Sequence, residues 1–311
     1  MLAILDVTIP FFALVLCGFL AAWRRKLPQH TVAALNGFVL YFALPAMLFR
    51  FAAGAPFADI VDPAVFFAYT LTGLAVLFGV AHGLRRFRGE RWDDAAYGAL
   101  ATAWSNWGYM GIALVPALLG PAAMAPLVAA GMADLLVVVS ASLAIASRSD
   151  TSGEHWLHAV GGALAGVGRN PLIWAVVAGL VVNGLALPLP VAVDEFLRLL
   201  GTAAGPVALF SIGVSLYRPG GVRIGLDTWA LTFVKLLVHP ALAWTVATWV
   251  FRLDPSQALV LMLMAALPAA GSAFLFAERG RADADRIAAV ILVSTAVAFG
   301  TFSAIASLAT G

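Results

Sequence analysis

Polar chemistry away from the loops is open to few residues of this chain. Ser105 and Asn106 stand in Trp104-Ser105-Asn106-Trp107-Gly108-Tyr109-Met110-Gly111, at the centre of an apolar run from about Tyr97 to Leu119. Pro268 stands at the centre of a second run, in Leu267-Pro268-Ala269-Ala270-Gly271-Ser272. A run of roughly 20 residues at 1.5 Å each crosses a bilayer, so both centres belong near its midplane. Glycine costs about 1 kcal/mol against alanine inside a helix. An unpaired amide in hydrocarbon costs several kcal/mol. Proline removes one helical hydrogen bond and clashes with the preceding turn. Such breaks survive in a membrane only where they are buried in protein or line a cavity. Each break therefore starts a half-helix, from about Gly108 and from about Ala270. A helix N-terminus carries free N–H groups and roughly +0.5 charge. Two such ends converging on one cavity suit an anion such as a carboxylate. The matching C-terminal ends, near Ser105 and Leu267, offer free carbonyls to a cation. The residues expected to bind substrate are Ser105, Asn106, Trp107, Gly108, Gly111, Pro268, Ala269, Ala270, Gly271 and Ser272. The competing reading is a pair of packing kinks. Trp104 and Trp107 divide the same way, as walls of a pocket or as packing.

Asp134, in Gly131-Met132-Ala133-Asp134, has apolar residues on both sides. An acid at mid-span costs about 2.5–3.5 kcal/mol on insertion scales and marks function by default. It is suited to carry a proton or bind a coupling ion; the alternative is a structural partner for a broken helix. Lys235 and His239 lie one turn apart and share a face. Three roles stand open for Lys235: pairing with Asp134, facing a substrate carboxylate, or snorkelling to the cytoplasmic interface.

The elements that must hold these residues follow from composition. Of 311 residues 62% are hydrophobic and 11% charged, with mean hydropathy +0.97. Too little polar surface remains to cover a soluble domain, so the chain reads as an all-α polytopic membrane protein. Ten spans are expected, at about 4–23, 33–52, 64–84, 96–119, 124–147, 170–187, 193–216, 228–250, 256–277 and 287–308. Met1 to Pro10 holds no basic residue, and Arg24-Arg25-Lys26 follows the first run, which marks that run as a retained span. Loops after odd-numbered spans hold Arg24, Arg25, Lys26, Arg85, Arg86, Arg88, Arg91, Arg148, Arg169, Arg218, Arg223, Arg279, Arg281 and Arg286. Loops after even-numbered spans hold only Arg50 and Arg252. Positive residues stay inside, so both termini are expected outside the cytoplasm of a bacterial inner membrane.

Several classes are excluded. The one cysteine, Cys17, forms no internal disulfide and anchors no metal cluster. No basic patch with interleaved aromatics supports nucleic-acid binding. No Gly-rich phosphate loop or His-Glu-x-x-His occurs, and Asp134 has no second acid at depth, so no enzyme, cofactor or catalytic residue is expected.

The chain also repeats itself. Pro10 and Pro171, Gly18 and Gly179, and Pro45 and Pro206 are each 161 positions apart; Asn106 and Pro268 are 162 apart. Two repeats of five spans must insert in opposite senses. The expected plan is two inverted five-helix repeats, residues 1–147 and 170–311, joined by a cytoplasmic loop over 148–169. Broken helices four and nine would cross. Within the loop, Glu154-His155-Trp156-Leu157-His158 reads as a short interfacial helix.

Over all ten spans the chain resembles a bacterial member of the auxin efflux carrier family. The resemblance rests on Asn36 to Phe49 with Leu44-Pro45, Ser105-Asn106 to Gly111, Asn170-Pro171, Gly205-Pro206 to Leu216, and Leu267-Pro268-Ala269-Ala270. It implies secondary transport of organic anions, typically carboxylates such as auxin or malonate-like acids. It implies the two-domain fold shared with bile-acid symporters and sodium/proton antiporters. Spans one, two, six and seven would be a scaffold, assembled as a homodimer; spans three to five and eight to ten would be the moving core. Asn106 and Pro268 take the crossover positions. Two departures stand out: Ala113 where proline is frequent, and Gly271 where asparagine is frequent. Besides the organic-anion carrier, with possible coupling to H+ or Na+, two rivals remain. One is a cation/proton antiporter using Asp134. The other is a non-transporting ligand sensor, against which the lack of a soluble output domain counts.

Overall fold

A computed structural model describes residues 2–28, 30–54, 62–149, 171–217 and 221–310. The connecting segment expected at 148–169, with its interfacial helix, lies almost wholly outside the described residues, as do Asn170 and Arg218. The described residues are helical, with one isolated backbone bridge. We number the helices α1 Leu2–Trp23, α2 Thr31–Gly54, α3 Pro63–Arg88, α4 Trp92–Ala103, α5 Trp107–Leu119 and α6 Pro121–Ala146. The second half continues with α7 Pro171–Gly184, α8 Val191–Leu216, α9 Leu226–Val250, α10 Pro255–Ala266, α11 Ser272–Arg279 and α12 Ala284–Thr310. Seven of these, α1, α2, α3, α6, α8, α9 and α12, are long and apolar enough to cross a membrane. This is a multi-pass membrane protein.

Local chemistry sets the ends. Asp62 caps α3 by accepting from the N–H groups of Ala64 and Val65 at 2.9 and 3.3 Å, with Pro63 at the first helical position. Arg85, Arg86 and Arg88 crowd its last turn, and Gly89 closes it in the left-handed region at φ 65°. A π turn lies within each of α2, α6 and α9, another opens α5, and a further one closes α9. Asp134 and Lys235 each sit in one of these turns.

Two helix pairs approach at backbone distance. A methyl group on Gly18 of α1 would lie 2.0 Å from the carbonyl oxygen of Phe210 on α8. One on Gly179 of α7 would lie 2.5 Å from the carbonyl oxygen of Phe49 on α2. Gly18 and Gly179, and likewise Phe49 and Phe210, are 161 positions apart, so the two contacts exchange under one shift. Helices α2, α7 and α8 pack together, with α1 on α8. The helices α3, α4, α6, α9, α10, α11 and α12 form a second connected set.

Candidate functional site

The chain leaves helical geometry between α4 and α5 and again between α10 and α11. Leu267 is extended at ψ 154°, as expected for a residue that precedes proline. Trp104 is extended without a proline, at ψ 113°. The two breaks meet. Ser105 and Ala269 pair as an antiparallel bridge. The Asn106 N–H donates to the Pro268 carbonyl at 3.0 Å, and the Ala270 N–H donates to the Trp104 carbonyl at 3.1 Å. Four backbone groups freed by the breaks thus satisfy one another across the joint, as a dry interior requires. The new half-helices start at Trp107 and Ser272, within two residues of expectation.

Around this joint the predicted residues divide. Gly108 and Gly271 face open space, at the N-terminal ends of α5 and α11. The Asn106 carbonyl accepts from Met110 and Gly111, while its side chain does not cap α5. Trp107 is packing: its ring covers Gly131, where a methyl group would lie 2.5 Å away. Gly111 gives room to Leu267, whose Cδ1 would be 2.8 Å from an added methyl. Trp104 is also buried, its ring 5.9 Å from that of Phe276.

Behind the joint lies a buried polar cluster. Lys235 is fully buried rather than snorkelling. Its ammonium donates to Ser105 Oγ at 2.8 Å, to the Ala265 carbonyl at 2.7 Å and to His239 Nδ1 at 3.2 Å. Tyr69 OH lies 3.1 Å from Ser105 Oγ. Asp134 is fully buried, and neither carboxyl oxygen has a hydrogen-bond partner among the described residues. It makes no direct ion pair with Lys235; the Lys235 charge and the Ser105 backbone N–H both act on it. Ser294 on α12 accepts from the Ala269 N–H at 3.2 Å.

The structure brings Lys235 onto Ser105 and leaves Asp134 within reach of both. Tyr69, Ser294 and the Ala265 carbonyl are additions. Tyrosine near the start of a span reads as an interface residue, and a backbone carbonyl has no sequence signature. His239 was visible only as the neighbour of Lys235.

A cavity of about 1030 Å³ lies elsewhere, between α2, α7 and α8 on one side and α5, α6 and α10 on the other. Arg50, Asp62, Asp194 and Arg198 are among its lining residues; none of the predicted site residues is. No group of three or more metal-binding side chains occurs among the described residues.

A helical membrane protein whose broken helices join around a buried lysine and acid has the build of a carrier. The profile of the membrane transport protein family matches residues 3–154 and 159–305. The chain belongs to this family, the auxin efflux carriers. A Rhizobium meliloti (strain 1021) protein named "Putative malonate transporter" is 27% identical over 306 residues, covering 97% of this chain and 94% of that one. An Escherichia coli (strain K12) protein, "Uncharacterized transporter YfdV", is 25% identical over 280 residues, 87% of this chain and 86% of that one. A Methanothermobacter thermautotrophicus "Uncharacterized transporter" is 24% identical over 297 residues, 93% of each chain. This auxin efflux carrier homologue is a membrane transporter.

Proposed function

We propose that this transporter moves a small organic anion, a carboxylate, across the inner membrane by alternating access. The observation that carries the reading is the joint itself. Two helix N-termini begin at one place, and at both the adjoining glycine, Gly108 or Gly271, faces open space. Free N–H groups and the positive ends of two dipoles favour a carboxylate there. The name of the Rhizobium relative points to the same class.

Two symmetries support the inverted repeat of ten spans. The exchanged Gly18–Phe210 and Gly179–Phe49 contacts share a shift of 161. At the joint, adding 164 to Asn106 and Trp104 gives Ala270 and Pro268, so the two backbone bonds also exchange. The packing of α1, α2, α7 and α8 supports a scaffold distinct from a moving core, and we extend the reading to a scaffold-mediated homodimer. The basic loops support both termini outside.

The test is uptake of malonate by purified protein in liposomes. Transport is expected, and Asn106→Ala should lower it roughly 10- to 100-fold; unchanged transport in that variant would remove the site. A second reading, cation/proton antiport, draws on the buried Asp134 carboxyl, which has no side-chain partner among the described residues. It requires sodium or potassium to dissipate a pH gradient in these liposomes, with loss in Asp134→Asn.

A further inference from the structure

The cation of this site belongs to the protein. Helix α10 stops at Ala266, so the carbonyls of its last turn lack their usual partners. The N–H that would have reached the Ala265 carbonyl is that of Ala269, and it turns to Ser294 instead. The freed Ala265 oxygen sits at the negative end of the α10 dipole, deep in the protein. Beside it are Ser105 Oγ from the first break and His239 Nδ1 from α9. Tyr69 of α3 adds its hydroxyl to Ser105, and Asp134 of α6 contributes a carboxyl with no side-chain donor among the described residues. Free carbonyls at such a helix C-terminus are what hold a monovalent cation in carriers with broken helices, and the hydroxyl, imidazole and carboxyl here extend that set. Here the place is filled. An ammonium has three N–H donors, and Lys235 spends all three on Ala265, Ser105 and His239.

We infer that Lys235 is a tethered cation occupying a latent monovalent-cation site, formed by the Ala265 carbonyl, Ser105 Oγ and His239 Nδ1 with Asp134 as counter-charge. The wild-type carrier therefore takes no inorganic cation as a co-substrate. Removing the lysine side chain opens the site to one. Its coupling consequence rests on the anion-carrier reading; the binding site itself does not.

The experiment compares wild type, Lys235→Ala and Lys235→Met in ammonium, sodium, potassium or choline chloride at equal ionic strength. Melting temperature is read in detergent and malonate transport in liposomes. Wild type should melt and transport alike in all four salts. Lys235→Ala should gain about 3 °C or more in ammonium, and in sodium or potassium, over choline. Lys235→Met, which fills the space with an apolar chain, should gain nothing. Adding Asp134→Asn to Lys235→Ala should erase the gain. A sodium requirement in wild type overturns the inference but leaves the carrier reading intact. Cation-stabilised Lys235→Ala without malonate transport by wild type does the reverse. A folded Lys235→Ala that ignores all cations overturns the inference. If that variant does not fold in any salt, the wild-type comparison decides alone.

Discussion

The two breaks use the same backbone device with different side chains. At the first, Ser105 and Asn106 bring a hydroxyl and an amide, with Tyr69 and Asp134 behind them from α3 and α6. At the second, Pro268, Ala269 and Ala270 bring only backbone groups, and the polar support comes from Ser294 and the Ala265 carbonyl. The proposed repeat is thus symmetric in packing and asymmetric in chemistry. The acid and most polar side chains come from the first half, while the lysine comes from the second. An asymmetric charge can sit at a symmetric joint because the backbone bonds there do not depend on side-chain identity.

Packing symmetry is tested where the effect is largest. Gly18→Ala puts a methyl 2.0 Å from a backbone oxygen that cannot move without shifting α8. Gly179→Ala does the same to α2 at 2.5 Å. Overpacking usually costs about 1–3 kcal/mol, and a clash with backbone belongs at or beyond the upper end. Both variants should therefore express poorly or melt many degrees lower. Gly300→Ala on α12 meets nothing within 4 Å and should melt at or above wild type. A harmless Gly179→Ala beside a crippling Gly18→Ala would break the symmetry.

Chemical asymmetry is tested next. Asn106→Ala keeps the backbone bond to Pro268 and removes only the amide. A hydrogen bond to a charged group is worth about 1.5–3 kcal/mol, so malonate transport should fall roughly 10- to 100-fold with the protein still folded. Ala270→Gly, at the exchanged position, keeps its N–H on Trp104 and should cost far less. Equal losses would place the recognition in the backbone alone.

A third contrast concerns support. Ser105→Ala takes an acceptor from a buried ammonium; Ser294→Ala takes one from a buried amide. Unpaired buried groups cost about 1–3 kcal/mol, more when charged. Ser105→Ala should thus lower the denaturant midpoint more than Ser294→Ala. The opposite order would shift the polar centre into the second half.

The joint was legible because proline, paired glycines and a mid-span amide each break a helix for a known reason. Its ends were off by a residue or two, since Trp107 and Ser272 join their helices through the turn and not through a cap. Asp134 was legible from depth alone. The fate of Lys235 was not: its partner Ser105 is 130 positions away. Three acceptors at one helix end hold the ammonium more firmly than a path to water would, and only the folded chain shows them. The 1030 Å³ cavity was equally hidden, because it forms between span ends whose residues are individually ordinary.

That cavity supplies the smallest test. Arg50 holds Asp194 through two bonds of 2.5 and 3.0 Å on its wall. The pair has no counterpart under the 161 shift, since Ser211 stands opposite Arg50 and Ala33 opposite Asp194. Both side chains are about 40% exposed, at 40% and 39%. Exposed pairs contribute roughly 0–1 kcal/mol, because solvent screens them and side-chain entropy opposes them. A double-mutant cycle with Arg50→Met and Asp194→Leu should therefore return little or no coupling. A large coupling would mean that this asymmetric ion pair helps hold α2 against α8 in the resting arrangement.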